Sequence, residues 1–384
     1  MKEIIREHKF SGKKLKLARN IRGVTLEDLS QKINVTHQML SKYEVEKSIP
    51  KPETIEKLAH YLDFETSFFF GRDEKLNQPD SPHFFRSGAT VAKKYKDQVE
   101  NKIELVTWLV KVIEERIKLP LVNFPIHTQG ENFAPTDFEQ IDEIAMDFRR
   151  FLSLGDGPIS NVTLLCEKLG IIIAYASLEH EKIDACSVIY NNRPYIILNK
   201  DRISSVRLRF NIAHELGHLI LHSKYKKKDV TDRAQHKRME QEANRFASAF
   251  LMPETSFVSD LSAAGLDYLL VLKKHWKVSL QAMIYRAESL GVFTTEYALY
   301  LRQQISRKKW RLQEPMDDEI PIETPILLKQ AIKLLLDKEM MQPAEIIFRT
   351  GIKAKELEVI CSLEHGMLYE NKDVENIIPF KRAR

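Results

Sequence analysis

Cysteine is scarce in this chain: three in 384 residues, Cys166, Cys186 and Cys361, far apart and odd in number. That excludes a disulfide framework and a C-x-x-C metal knuckle; reduced thiols in a cytoplasmic chain are the simplest expectation. Long apolar runs are also missing. None reaches the roughly 18 residues of a membrane helix, so no membrane association is expected. Met1-Lys2-Glu3 and the polar residues after them lack a secretory signal core, so export is not expected. Charge of one sign is not in large excess: 59 Lys and Arg stand against 54 Asp and Glu, a net +5. That permits nucleic-acid binding without demanding it. No internal repeat is evident. What remains is a chain that is 43% hydrophobic and long enough for two or three domains.

The stretch richest in chemistry is Asn211–His222, NIAHELGHLILH. It contains His214-Glu215-Leu216-Gly217-His218. Two histidines four apart share one helix face, about one turn from each other, so both imidazoles can reach one divalent ion. Glu215 follows the first and can lean over an open coordination position as a general base. Val206, Phe210, Ala213, Gly217 and Ile220 recur at helical spacing, so this helix borders a packed core. Two core histidines and a surface carboxylate would spell the same five letters. The second stretch, Glu240-Gln241-Glu242-Ala243-Asn244-Arg245-Phe246-Ala247, separates the readings. A catalytic zinc site wants three protein ligands and one open position. Glu240 shares a stripe with Ala243, Asn244, Ala247, Phe250 and Leu251 and can point inward. Asn244, one turn on, can accept the free N–H of a ligand histidine. Glu242 is the competing third ligand, on a different face of the helix.

HELGHLILH followed by EQEANRFASAFLMP resembles the ImmA/IrrE family of metallopeptidase-like proteins, and most closely those members with a Cro/C1-type helix-turn-helix at the N-terminus. The resemblance implies one zinc-type metal held by His214, His218 and Glu240, with Glu215 as general base. It is strongest at residues 11–70 and 159–255. Nitrogen and oxygen ligands accept zinc or manganese alike, so Zn2+ is expected with Mn2+ as the alternative.

The N-terminal part reads as a small helical bundle. Residues 11–22 form a basic amphipathic helix with Leu15, Ala18 and Ile21 inward. Thr25 is an N-cap with Asp28 three residues later, a capping-box start. Leu26, Leu29 and Ile33 make one apolar stripe, and Asn34 suits a tight left-handed turn. Thr36 caps the next helix, whose Met39, Leu40 and Tyr43 face inward. A helix from Thr54 to Leu62 follows Pro50-Lys51-Pro52. In such a unit the second helix enters the major groove and its first residues meet base edges. Thr36, His37, Gln38, Ser41 and Lys42 are therefore the candidate DNA contacts, Gln38 being suited to adenine. Lys13, Lys14, Arg19 and Arg22 are candidates for phosphate. Over residues 1–70 Lys and Arg outnumber Asp and Glu by only thirteen to ten, which is weak electrostatic support. A bundle that binds protein through the same surface remains the alternative.

Residues 71–100 turn polar and read as a linker. Phe84-Phe85-Arg86-Ser87 breaks that pattern, and an aromatic pair in a linker is expected to dock on something. Residues 93–119 form a long helix with Val99, Ile103, Val106, Val110, Ile113 and Ile117 on one face. That face either lies on the peptidase-like domain or forms the seam of a homodimer. Ile141 to Leu152 and Asn161 to Leu169 read as helices. Strands are predicted at Ile171–Tyr175, Cys186–Tyr190 and Tyr195–Leu198, the last two as a hairpin across Asn191-Asn192. In zincins an edge strand aligns an extended substrate beside the metal; either hairpin strand fits that role. Residues 223–239 are strongly charged and read as a solvated loop. His222 and His236 are extra histidines near the motif; assisting in the site is open to either, with a packed or exposed histidine as the default expectation. After Met252-Pro253 the chain is mostly helical, with a break at 312–324 and a frayed basic tail after Pro379.

The expected fold is α+β and mostly helical. Its parts are a helix-turn-helix domain (1–70), a linker and long helix (71–130), a zincin-like domain with a small sheet (131–260) and a helical C-terminal region (261–384). The expected function is a DNA-binding transcription regulator fused to a gluzincin-like zinc metallopeptidase that cleaves itself or a partner repressor. A non-proteolytic regulator that senses a ligand or protein through the same fold is the alternative. A protein-interaction module with a structural metal is a third.

Overall fold

The computed structural model describes residues 9–71, 79–85, 93–127, 130, 132–177, 184–199, 204–225, 229–230 and 232–369. Among the described residues the first four helices are α1 (Gly12–Ile21), α2 (Leu26–Ile33), α3 (His37–Glu44) and α4 (Pro52–Leu62). Their starts are set by side-chain caps. Ser11 and Thr36 accept from the backbone N–H of Lys14 and Met39, and Thr25 and Asp28 form a reciprocal capping box. Asn34 ends α2 in the left-handed region at φ 57°. Pro52 is the first residue of α4 rather than a boundary before it, because a helix start has no use for its missing N–H.

The next elements are β1 (Phe84–Phe85), the long α5 (Lys93–Glu114), α6 (Phe138–Phe151) and α7 (Val162–Lys168). Strands β2 (Ile172–Ala176), β3 (Ala185–Tyr190) and β4 (Arg193–Asn199) follow. The sheet order is β1-β3-β4-β2. β3 and β4 form the expected hairpin, with Asn191 and Asn192 both at positive φ, the requirement of a turn whose twist matches the strands. β2 joins β4 in parallel, and β1 adds antiparallel to β3, Phe84 opposite Ser187 and Phe85 opposite Cys186. All three longer strands are buried on both faces. Ile172, Ala174, Cys186, Val188, Tyr195 and Ile197 face one core, whereas Ile171, Ile173, Ala185, Ile196 and Leu198 face the other. That is why they read as apolar runs rather than alternations.

Helix α8 (Ser205–Leu221) lies on the second face and is crossed by α9 (Arg233–Leu251). The charged stretch 223–239 is thus partly helical, contrary to the expectation of a loop. Asp232 caps α9 by accepting from Gln235 N, and Met239 is buried. The chain continues with α10 (Glu254–Asp260), α11 (Leu266–Trp276), α12 (Leu280–Ser289) and α13 (Thr295–Arg307). Asp142 of α6 receives Arg245 from α9 and Arg286 from α12 (2.7–2.8 Å), which ties these helices together. After the break come α14 (Leu327–Asp337), α15 (Pro343–Thr350) and α16 (Ala354–Ile360).

The C-terminal region divides between two cores. Residues 266–305 join α6–α9, whereas Leu328 to Leu368 join the N-terminal bundle, α5 and the other face of the sheet. Val99, Ile103, Val106, Val110 and Ile113 of α5 are buried in that first core, against the chain's own α1, α14 and α15. The dimer seam expected on this face is therefore not available, because it is already covered. The tail after residue 369, and Arg86-Ser87 of the linker motif, lie outside the described residues.

Candidate metal centre

The α8 helix is buried almost all round, so its histidines are shielded from solvent. His214, Glu215 and His218 have no exposed surface. Gly217 lets α9 approach: a Cβ there would stand 3.2 Å from Ala243 Cα and from the Phe246 ring. The close crossing brings Glu240 of α9 over the two imidazoles. His218 Nε2 lies 3.1 Å from His214 Nε2 and 3.1 Å from Glu240 Oε1, and His214 Nε2 lies 3.5 Å from Glu240 Oε2. Donors about 2.0–2.1 Å from one tetrahedral ion stand about 3.3–3.4 Å apart. The donor set therefore fits a zinc-type cation in size and chemistry. Burial alone would raise the Glu240 carboxyl, but His214 and His218 outweigh it and hold it well below the usual range.

Each imidazole is turned by a partner. Asn244 Oδ1 lies 3.0 Å from His214 Nδ1. An amide oxygen only accepts, so Nδ1 carries the proton and Nε2 keeps its lone pair. His218 is held by a longer chain, in which His222 takes the assisting place left open to it by the sequence. His222 Nε2 donates to Glu242 Oε2 (2.9 Å), and His222 Nδ1 lies 2.9 Å from His218 Nδ1. Burial pushes the His222 pKa down to about 4, so a neutral His222 accepts from His218 Nδ1–H. Glu242 also accepts from Thr136 N (3.0 Å) and Arg238 Nε (2.9 Å). The residue weighed as a rival third ligand is thus the anchor of this relay. The only sequence signal was its phase: Glu242 is two residues from Glu240, so it faces elsewhere on the helix.

Ser187 Oγ of β3 donates to Glu215 Oε2 at 2.5 Å, fixing the carboxylate beside the ligands. Phe84 stacks on His218, ring centroids 4.7 Å apart and planes 8° from parallel. The aromatic linker residue thus does dock, on a metal-ligand candidate. Asn244 also lines a cleft of about 270 Å³, together with Arg207, Phe210 and Tyr285, among others. His236 is only partly buried and lies outside the donor set.

In the N-terminal bundle Thr36, His37, Gln38 and Lys42 are exposed at the start and along one side of α3, and Ser41 is partly so. Arg19 does not join them. Its guanidinium forks onto Glu44 (2.6 and 3.2 Å) and also donates to Val24 O. Arg22 is held by Leu62 O, Asp63 O and Glu356, and Lys14 by Phe70 O. Arg19 thus pairs within the bundle, and Arg22 also links the bundle to Glu356 near the C-terminus.

A helix-turn-helix bundle joined to a buried H-E-x-x-H site with a glutamate from the next helix defines a DNA-binding-type head on a metallopeptidase-like domain. Comparison with known families gives the same two parts. Residues 15–69 match the helix-turn-helix family, and residues 166–288 match the IrrE N-terminal-like domain, a peptidase family. Two separate segments of the chain are therefore similar to a helix-turn-helix and to an IrrE N-terminal-like domain. A stretch of 71 residues is 35% identical to the HTH-type transcriptional regulator ImmR of Bacillus subtilis, covering 18% of this chain and 56% of that protein. Among the described residues no helix is long and apolar enough to cross a membrane.

Proposed function

We propose that this protein is a transcription regulator that binds double-stranded DNA through α3 and cleaves itself or a partner regulator at the metal centre. The observation that carries the peptidase half is the convergence of His214, His218 and Glu240, with Glu215 pinned beside them by Ser187. Three protein ligands leave a coordination position open, as catalytic rather than structural sites do. When bound, a zinc or manganese ion supplies Lewis-acid polarisation and lowers the pKa of water. Glu215 accepts a proton from the attacking water and passes it to the departing amine. DNA binding is supported by the helix-turn-helix and by the exposure of Thr36, Gln38 and Lys42.

Replacing Glu215 by Gln should leave metal content unchanged and lower cleavage by about 10²–10⁴-fold, the usual worth of a positioned base. Metal analysis and mass spectrometry of fragments, with zinc or manganese supplied, read both. A variant that cleaves as fast as the natural chain removes Glu215 from the mechanism.

The sheet shared by the two cores supports a second reading. The helix-turn-helix packs with α5 and one face of the sheet whose other face carries the metal site. A ligand that shifted the sheet would shift the DNA-binding head, with no bond broken. Operator release by metal or ligand in the Glu215→Gln variant favours this reading.

A further inference from the structure

The one edge of the sheet that lies beside the metal centre is occupied by the chain itself. β1 pairs with β3 at Ser187, the residue whose hydroxyl holds Glu215. The contact extends along the strand: Asp80 N donates to Ile189 O (2.8 Å), Ile189 N to Ser81 Oγ (2.8 Å) and Asn192 N to Asp80 Oδ2 (2.7 Å). Directly opposite residues in an antiparallel pair face the same side of a sheet. Phe84 therefore sits on the Ser187 side, fully buried between the His218 ring, Tyr225 and Met239. An extended chain laid along this edge would need the same backbone groups and the same aromatic seat.

Building on the peptidase reading, we propose that Asp80–Phe85 is a tethered occupant of the peptide-binding edge: it holds the place of an extended substrate segment bearing an aromatic residue, and substrate must displace it. A tethered segment acts at an effective concentration on the order of millimolar, so it outcompetes dilute peptides without binding tightly. Main-chain pairing gives the grip and the seat against His218 gives the side-chain preference. The occupant lies between the helix-turn-helix and α5, so access to the metal centre is linked through the chain to the DNA-binding head.

The test uses the zinc-loaded full chain and a fluorescent peptide of sequence Pro79–Phe85 added in trans. Two variants weaken the occupant. Phe84→Ala empties the seat. Asp80→Ala removes the contact with Asn192 and leaves the Phe84–His218 stack intact, which covers the case in which Phe84→Ala fails to fold. The peptide should bind each folded variant about tenfold more tightly than the natural chain, because the tethered competitor is weakened. With unfolded casein as substrate, KM should fall by a similar factor and kcat should change little. Equal peptide binding by all three proteins, or none by the folded variants, overturns the proposal. So does a fall in kcat and zinc content with KM unchanged, which would make Phe84 mere packing for His218. Peptide binding is read without cleavage, so it stands even if no variant hydrolyses casein and the peptidase reading fails.

Discussion

Glu242 illustrates how a residue without a motif position can govern one that has it. It touches no ligand candidate, yet it fixes His222, and His222 fixes the tautomer of His218. Loss of such an outer partner commonly costs about 10–100-fold in metal affinity. Glu242→Ala should lower zinc affinity by that factor, measured by competition with a chelator, while His214, His218 and Glu240 remain. Unchanged affinity in a folded variant would mean that the relay does not orient the site. The metal-ligand candidates themselves were legible, because a three- or four-residue spacing on a helix translates directly into shared direction. The relay was not legible, since it needs α9 and residues 133–136 to meet over α8.

At the level of elements, α14 begins against a buried carboxylate. Glu167 of α7 accepts from Ile326 N and Leu327 N at 2.8–3.1 Å. Burial raises its pKa from 4.5 to about 7 despite those bonds. A group whose folded pKa is raised stabilises the fold below its unfolded value and loses that contribution as pH climbs through its folded value. Between pH 4.5 and 7 the loss is on the order of 3 kcal/mol for this one group. Glu167→Gln keeps an acceptor for the helix and removes the charge. Denaturant titrations should show the natural chain losing stability from pH 5 to 8 relative to the variant. Parallel curves would mean that Glu167 is ionised in the fold throughout. Helix starts were legible at Thr25 and Thr36, where a side-chain oxygen is the cap. The start of α14 was not, because its partner is 159 residues away.

Across the whole molecule the C-terminal helices close the core that the helix-turn-helix opens. Gly351, at φ 67°, is where they meet: its carbonyl accepts from Glu65 N, and a Cβ would lie 2.4 Å from Phe68 Cα. Backbone atoms cannot step aside as a flexible side chain can. Gly351→Ala should destabilise the protein by about 1–3 kcal/mol through strain and overpacking. Zinc affinity should stay unchanged, because the metal centre belongs to the other core. A variant as stable as the natural chain would show that the two ends are not tightly docked.

The sequence by itself determined the helix-turn-helix, the hairpin strands, the pair of imidazoles on one helix face and the carboxylate that could join them. Each follows from local chemistry: a cap, a turn residue or a period of 2 or 3.6 acts within a few residues. Tertiary structure decided that α5 faces inward rather than toward a second copy, that Arg19 pairs with Glu44 and Arg22 with Glu356, that Glu242 anchors a relay and that the linker fills the sheet edge. Those outcomes depend on which surfaces meet across tens to hundreds of residues. An apolar face or a charged side chain states only that it requires a partner, and packing selects which one.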